Sequence, residues 1–598
     1  MKGRAATGAS AGVKESDPVK RPCKLLMTES PLAPSSRTVA ETPILIGLAG
    51  LIVCLIVAVC ILGWVPPVSR DALTHHLVVP KIYLENGGIV QIRWIGASYF
   101  PQNIDLLYML PLYFGNDILP KYIHFSFALL TAALIFGYLK KRSDSLYALF
   151  GTLLFLSLPV IVKLSFTVYV DLGLIFFSTA SFLLLFKWLE ERFRTRYLLL
   201  SAVCCGLALG TKYNGLIVFS LLTLLVPVLY VRHSRPTRTT QLRAAGCGLL
   251  FCAVALLVFS PWMIRNAIWT GNPVHPLFPG VFGTAKQASK PTAADRKVER
   301  PSPRKPTSPL WIRKNAFHEK WWQTALIPVR VFFQGRDDDP RTFDGRLNPM
   351  LFFLPMFAFM RFRSDPSRLK REKQLLLAFA VLFLLITFFR VDMRIRYIAP
   401  IIPPLVILSA FGLQQVLAAV RQRYSGSKRT FFTGLVVATV AAGLVWNAAY
   451  IFEQFTKYRP LDYISGRVGR DAYITRYRPE YPVLQYANQY TDERSKLLCL
   501  FQGYRRYYID RVTVHNEIRF RDIVYHSASA TEIAEKLAKK KFTHVLIHFD
   551  LFERWSQAIF TSEEIHRINA FFDQHTRKLI SSGGYVLLEL TPTHQATG

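Results

Sequence analysis

The chain has 598 residues, too many for one ordinary core and enough for two or more units. Hydrophobic residues make up 51%, a share that soluble proteins also reach, so the class rests on how those residues are distributed. The formal charge of +34 would suit a nucleic-acid binder, but Lys and Arg fall mainly in short clusters between apolar runs, where membrane orientation signals belong.

Residues 1–42 are polar, carry Pro, Ser and Lys, and read as a disordered cytoplasmic N-terminus. Pro43–Leu62 is long for the apolar part of a signal peptide and has no persuasive cleavage site, so it reads as a retained first span. Further charge-poor runs follow at Ala148–Leu158, Leu174–Phe186, Leu216–Tyr230, Leu249–Phe259, Leu375–Phe389, Ile398–Phe411 and Phe431–Val445. With their flanks most reach the roughly 17–25 residues of a bilayer-crossing helix. Hydrocarbon offers no partner for the backbone, so these segments should be helical. Lys140–Arg142, Arg192–Arg196, Arg232–Arg243, Arg361–Lys373 and Arg421–Arg429 alternate with the runs and mark one side as the cytoplasm. The count is about eleven spans, N-terminus in and C-terminus out, with the half-length Ile104–Phe114 as the uncertain piece. The fold class is therefore an α-helical polytopic membrane protein whose membrane domain occupies 43–455.

On this topology residues 64–103 and 265–346 are outer loops, and 456–598 form a soluble domain outside. Lys496–Phe501, Thr543–His548 and Tyr585–Leu590 read as strands, and Thr531–Lys539 and Glu563–Phe572 as helices, which makes that domain α/β. Lys286–Pro309, rich in Lys, Arg, Pro and Ser, reads as a disordered insertion. Of the eight cysteines only Cys499 lies in the outer domain, so no disulfide framework and no zinc spacing is expected there.

The outer segments hold the candidate chemistry. Asp71 follows the first span closely and precedes His75 and His76; its carboxylate can either serve chemistry at the membrane boundary or cap the amphipathic stretch that follows. Asp171, at the outer end of a span, has the same two readings. Adjacent histidines point about 100° apart on a helix, so only His76 is expected to face the site. Lys212, in Gly210-Thr-Lys-Tyr-Asn-Gly215, suits a phosphate or a carboxylate, or else snorkels to the interface. Arg394 and Arg396 sit on the outer side, where the inside-positive rule does not want them, and can clamp a phosphate. The acids Asp337–Asp339 could hold a hard cation, but such a run is more often a solvated loop.

Together these residues resemble the GT-C class of membrane glycosyltransferases, which includes protein O-mannosyltransferases and the lipid A aminoarabinose transferase. The resemblance covers roughly Pro43 to Tyr450. It is carried by Asp71-Ala-Leu-x-x-His76, Tyr99-Phe-Pro-Gln-Asn103, Asp171, Gly210-Thr-Lys-Tyr213, Pro261-Trp-x-x-Arg-Asn266, Thr270-Gly-Asn-Pro-Val274, Phe343-Asp-Gly-Arg-Leu347 and Arg396-Tyr-x-x-Pro400. It implies transfer of a sugar from a polyprenyl-phosphate donor to a hydroxyl of a lipid or protein acceptor, at the outer face of a bacterial inner membrane, with no nucleic acid involved. Asp71 and Asp171 would be the catalytic acids. His76, Gln102, Asn103, Lys212, Tyr213, Arg265, Asp344, Arg394, Arg396 and Tyr397 would bind substrate. The cofactor is left open, a divalent cation being one possibility. One departure stands out: the aminoarabinose transferase has a lysine where this chain has Gln102, which leaves donor and acceptor unidentified. The competing reading is a transporter or flippase, disfavoured by the absence of a repeat among the spans and by polar residues gathering at one membrane face.

Overall fold

The computed structural model describes residues 41–234, 237–282, 308–390 and 393–591. The expected disordered N-terminus and most of the Lys286–Pro309 insertion lie outside the described residues. Among the described residues eight helices are long and apolar enough to cross a membrane: Thr42–Gly63, Leu119–Arg142, Asp171–Glu190, Gly215–Arg232, Arg238–Thr270, Ser367–Phe389, Ile395–Arg423 and Gly426–Tyr458. The pair Ser145–Ser157 and Pro159–Ser165, bent by 64°, is either a broken ninth span or a re-entrant loop. Pro159 accounts for the break, because a proline disfavours helical backbone at the residue before it and here starts the second piece. Eight or nine spans are fewer than the eleven expected; Thr195–Leu209 is a shorter apolar helix, and Met350–Phe357, at eight residues, is too short to span, and both pack against full-length neighbours. Asn103–Tyr113 is an 11-residue helix, too short to span.

Ile395–Arg423 and Asp171–Glu190 are the most enclosed helices, with 78% and 67% of their apolar windows buried. Thr42–Gly63 and Gly426–Tyr458, each at 11%, leave most of their side chains facing outward. The central pair is all-round apolar, and such a helix can be satisfied only inside a bundle or in lipid. At the end marked by basic clusters, Glu372 accepts from Arg142 at 2.8 Å and Tyr138 at 2.6 Å, and Lys373 meets Asp365 at 2.6 Å. These charges enter the low-dielectric layer only as pairs.

The C-terminal domain is a five-stranded sheet with β1 Lys496–Leu500, β2 Val512–His515, β3 His544–His548, β4 Thr576–Ser582 and β5 Tyr585–Leu590. The order is β2-β1-β3-β5-β4; β1 runs parallel to β2 and β3, while β5 is antiparallel to β3 and β4. Gly583 and Gly584, at φ of 56° and 80°, close the β4–β5 hairpin in the left-handed conformations that a tight two-residue turn demands. This domain grips the segment that follows Thr42–Gly63. The backbone N–H of Arg506 donates to Leu73 O at 2.8 Å, Tyr508 Oη donates to Pro67 O at 2.8 Å, and Lys81 pairs with Asp510 at 2.6 Å. Arg478 bonds Val68 O, and Tyr473 packs with Val65 and Val68.

Candidate functional site

Asp71 opens the site. It precedes a short π-helix, Ala72–His76, in which Leu77 N–H reaches back to Ala72 O at 3.0 Å. The sequence suggested an ordinary amphipathic helix from Ala72; the α-helix proper runs only over Val78–Glu85. Such single π turns recur at functional sites because they re-aim side chains. The capping alternative fails: the Asp71 side chain makes no cap hydrogen bond, and its Oδ2 instead accepts from Arg396 Nη1 at 2.6 Å. The two side chains are 22% and 13% exposed, so the pair is sheltered but reachable. Burial alone would raise the Asp71 pKa, but the guanidinium of Arg396 outweighs it and holds the carboxyl well below the usual range.

Asp171 is the first residue of its helix and is not its cap. Its Oδ1 accepts from Lys212 Nζ at 2.6 Å, so Lys212 is paired and does not snorkel, while Asp171 Oδ2 is buried without a partner. Tyr397 joins the two ion pairs, its ring lying 4.9 Å from Lys212 Nζ and 5.2 Å from the Arg396 guanidinium carbon. Tyr169 covers the other side of Arg396 at 5.0 Å and meets the His76 ring edge at 5.8 Å. Four stretches of chain, around Asp71, Asp171, Lys212 and Arg396, are thus drawn together.

His76 is buried beside this centre with Nδ1 2.7 Å from Asp105 Oδ1, and the His75 ring lies 4.0 Å from it, so the two histidines are not separated as the 100° spacing suggested. His75 turns to Thr74 at 2.8 Å. Burial pushes Asp105 up to about 8 and His76 down to about 4, so the pair holds a single shared proton at neutral pH. Asp105 was not anticipated; the available signal was an acid in the first turn of an otherwise apolar stretch. His124 was missed as well. Its Nε2 accepts from Leu172 N at 3.0 Å and its Nδ1 lies 2.9 Å from Leu164 O, which pins the start of the Asp171 helix.

The remaining expected residues fall into two flanking groups. Arg265 stacks between Trp262 and Trp269 at 4.5 and 5.0 Å and donates to Phe100 O and Asn266 Oδ1. Tyr213 Oη donates to His275 O at 2.8 Å and accepts from Asn266 at 3.2 Å. Asn103 takes a hydrogen bond from Trp262 Nε1 at 2.7 Å and donates to Leu207 O, so its amide ties the fold together. Gly210 is required beside it, because a Cβ there would stand 2.2 Å from Asn103 Nδ2. Gln102 is buried, donates to Ala97 O and leaves Oε1 without a partner. In the second group Asp344 accepts from Arg394 at 3.2 Å and from the Asp338 backbone, and the ring of Tyr397 lies 5.9 Å from Arg394. The acidic run is held by cations and a phenol: Lys163 and Lys457 bond Asp338, Tyr450 bonds Asp337, and Asp339 caps Arg341 N–H. Among the described residues no three His, Cys, Asp or Glu side chains cluster as a metal site. The hollow of about 700 Å³ along β4 and β5 belongs to the C-terminal domain, away from these pairs.

Residues 103–271 match the model of the dolichyl-phosphate-mannose-protein mannosyltransferase family. That range holds Asp171, Lys212 and Arg265 but stops short of Asp71 and Arg396. No curated protein matches the chain in sequence. Among solved structures, ArnT from Cupriavidus metallidurans in the apo state superposes with a TM-score of 0.52 at 13% identity, covering 92% of this chain and 98% of that one. ArnT bound to undecaprenyl phosphate gives the same figures. The oligosaccharyltransferase AglB from Archaeoglobus fulgidus has a TM-score of 0.49 at 11% identity, over 94% of this chain and 75% of that one. The fold is that of the GT-C glycosyltransferases.

Proposed function

We propose that this GT-C chain moves a sugar from a polyprenyl-phosphate donor to a hydroxyl acceptor at the outer membrane face, with Asp71 as the base. The supporting observation is the meeting of the Asp71–Arg396 and Asp171–Lys212 pairs across Tyr397. The bound undecaprenyl phosphate of ArnT and the lipid-linked donor in the family's name agree with that donor class.

The chemistry follows from the pairs. A hydroxyl attacks the anomeric carbon of the donor sugar, and the bond from that carbon to the phosphate oxygen breaks. The phosphate leaves with the electron pair and needs its charge met, a task for Arg396 and Lys212. The acceptor proton passes to a carboxylate positioned beside it. Held by Arg396, Asp71 is ionised but a weak base. A donor phosphate that draws Arg396 to itself frees Asp71, and its proton affinity rises just as the electrophile arrives. Asp171, locked to Lys212 and more deeply buried, orients the second cation. His76 and Asp105, sharing one proton, shape the acceptor side.

The test is transfer by the purified protein from a synthetic polyprenyl-phosphate sugar, with native mass spectrometry for co-purified carrier lipid. Carrier lipid bound and sugar moved to a hydroxyl is the expected result. A protein that binds no polyprenyl phosphate and moves an intact lipid-linked glycan across vesicles would establish the transporter instead.

A further inference from the structure

The outer domain carries a second polar cluster that the transfer chemistry does not use. It lies at the carboxyl ends of β1 and β2, where residues 501–506 leave β1 and His515 ends β2. In the sheet order β2-β1-β3 the parallel strand β1 has neighbours reached in opposite directions, and open sheets bind ligands at the carboxyl edge of such a switch. Position alone would not make a site; the side chains do. His515 is 8% exposed and neither ring nitrogen has a partner. Its ring stacks on Tyr504 at 5.1 Å, and both nitrogens are buried with their hydrogen-bonding capacity unused. Arg506 is 7% exposed, and its guanidinium reaches only Trp94 O, at 3.3 Å, with Nε unpartnered. Gln502 is 1% exposed; its Nε2 donates to Arg505 O at 2.7 Å, which fixes the amide with Oε1 as a free acceptor.

The charges here are mostly positive. Arg505 and Arg506 both face His515, and the exposed Arg70, next to Asp71 in the chain, faces Tyr504. Arg505 is engaged by Glu480 and Tyr585, and Glu517 accepts from Phe501 N–H at 3.1 Å, so both nearby acids already have partners. What remains is a guanidinium, an imidazole and one amide oxygen.

We infer that this edge binds a phosphate-type oxyanion that still carries one proton, either hydrogen phosphate or a phosphate monoester. Arg506 and His515 supply N–H donors to the unprotonated oxygens. Gln502 Oε1 requires a donor in return, and the P–OH provides it. Sulfate, with no proton at neutral pH, meets the donors but leaves Gln502 unsatisfied.

Binding of radiolabelled inorganic phosphate to the purified full-length protein tests this in an Arg396→Ala, Lys212→Met background, which removes both cations assigned to the donor phosphate. One site is expected. His515→Phe, which keeps the stack on Tyr504, and Gln502→Leu should each weaken it by about tenfold or more, the usual value of a hydrogen bond to a charged ligand. Sulfate should compete at least about tenfold less well than phosphate. Arg70→Gln, at an exposed position that cannot disturb folding, should weaken binding by a smaller factor. Displacement by short-chain phosphatidic acid at lower concentration than phosphate identifies a lipid headgroup as the source, and equal displacement identifies free phosphate; both support the site. No bound phosphate, or binding unmoved by both buried substitutions in variants that melt like their parent, overturns it. The readout is binding without transfer, so failure of the transferase reading leaves this result intact.

Discussion

Replacing Asp71 with Asn separates the base from its guard. Asn keeps the size of the side chain and can still accept from Arg396, but it cannot take a proton. Transfer should fall by roughly 10²–10⁴-fold, the usual contribution of a positioned base. Donor binding should move the other way. In the unliganded protein the phosphate must draw Arg396 from a carboxylate 2.6 Å away. With charge centres about 4 Å apart and an effective dielectric near 20, that attraction is about 4 kcal/mol. Part of it survives as the weaker bond from Asn, and part is repaid by relieving the burial of two charges. A net gain of about 1.4 kcal/mol would already tighten the donor tenfold. The assay pairs initial rates from a synthetic polyprenyl-phosphate sugar with equilibrium binding of a non-transferable analogue. Slower transfer with tighter binding is the crossed result the site predicts. An Asn variant with full activity would remove Asp71 as base, and one that binds the donor more weakly would show that Arg396 does not receive the phosphate.

Three further outcomes can be checked. The buried His76–Asp105 pair holds one proton in the folded state up to about pH 8, whereas the unfolded groups, at 6.5 and 3.8, release it by about pH 6.5. Two opposing shifts cancel between about pH 4 and 6.5, so the pair should cost about 2 kcal/mol of stability as pH rises from 6.5 to 8; Asp105→Asn should flatten that slope in pH-dependent melts, and an unchanged slope would refute the shared proton. Gly210→Ala puts a methyl against Asn103 Nδ2, and displacing that amide should destabilise the protein by about 1–3 kcal/mol in detergent melts; an unchanged melt would refute the tight contact. A reporter fused after Glu453 should behave as external, and a cytoplasmic signal there would invert the placement of every residue in the site.

Much of this was legible because the physics of a bilayer is blunt. Apolar length and basic clusters mark the long helices directly, while Thr195–Leu209 and Met350–Phe357 are too short to announce themselves by hydropathy. In the C-terminal domain, β1, β3 and β5 were readable as short apolar runs. β2 and β4 were not: they are the sheet edges, and β4 carries Arg577, Lys578 and three hydroxyl residues along a half-exposed face. Asp71, Asp171, Lys212 and Arg396 could be singled out one by one, since each is an ionisable group at the end of an apolar run. Their pairing could not. Nothing in the spacing of residues 325 apart says that Arg396 answers Asp71 and not a substrate. The π turn after Asp71 was also hidden, because Ala-Leu-Thr-His-His is equally good for an α-helix.

The pairing changes what the charges mean. Read singly, Arg394, Arg396 and Lys212 form a positive patch waiting for an anion. In the fold each meets a carboxylate, Asp344, Asp171 or Asp71, and His76 shares its proton with Asp105. The resting site is therefore close to neutral, which lets it sit at the membrane boundary without the penalty of isolated charge. A neutral site attracts an anionic headgroup only weakly at long range, so binding must be won by exchange at close quarters: phosphate in, carboxylate out. Because the released carboxylate is the proposed base, that exchange ties the appearance of catalytic basicity to the presence of donor.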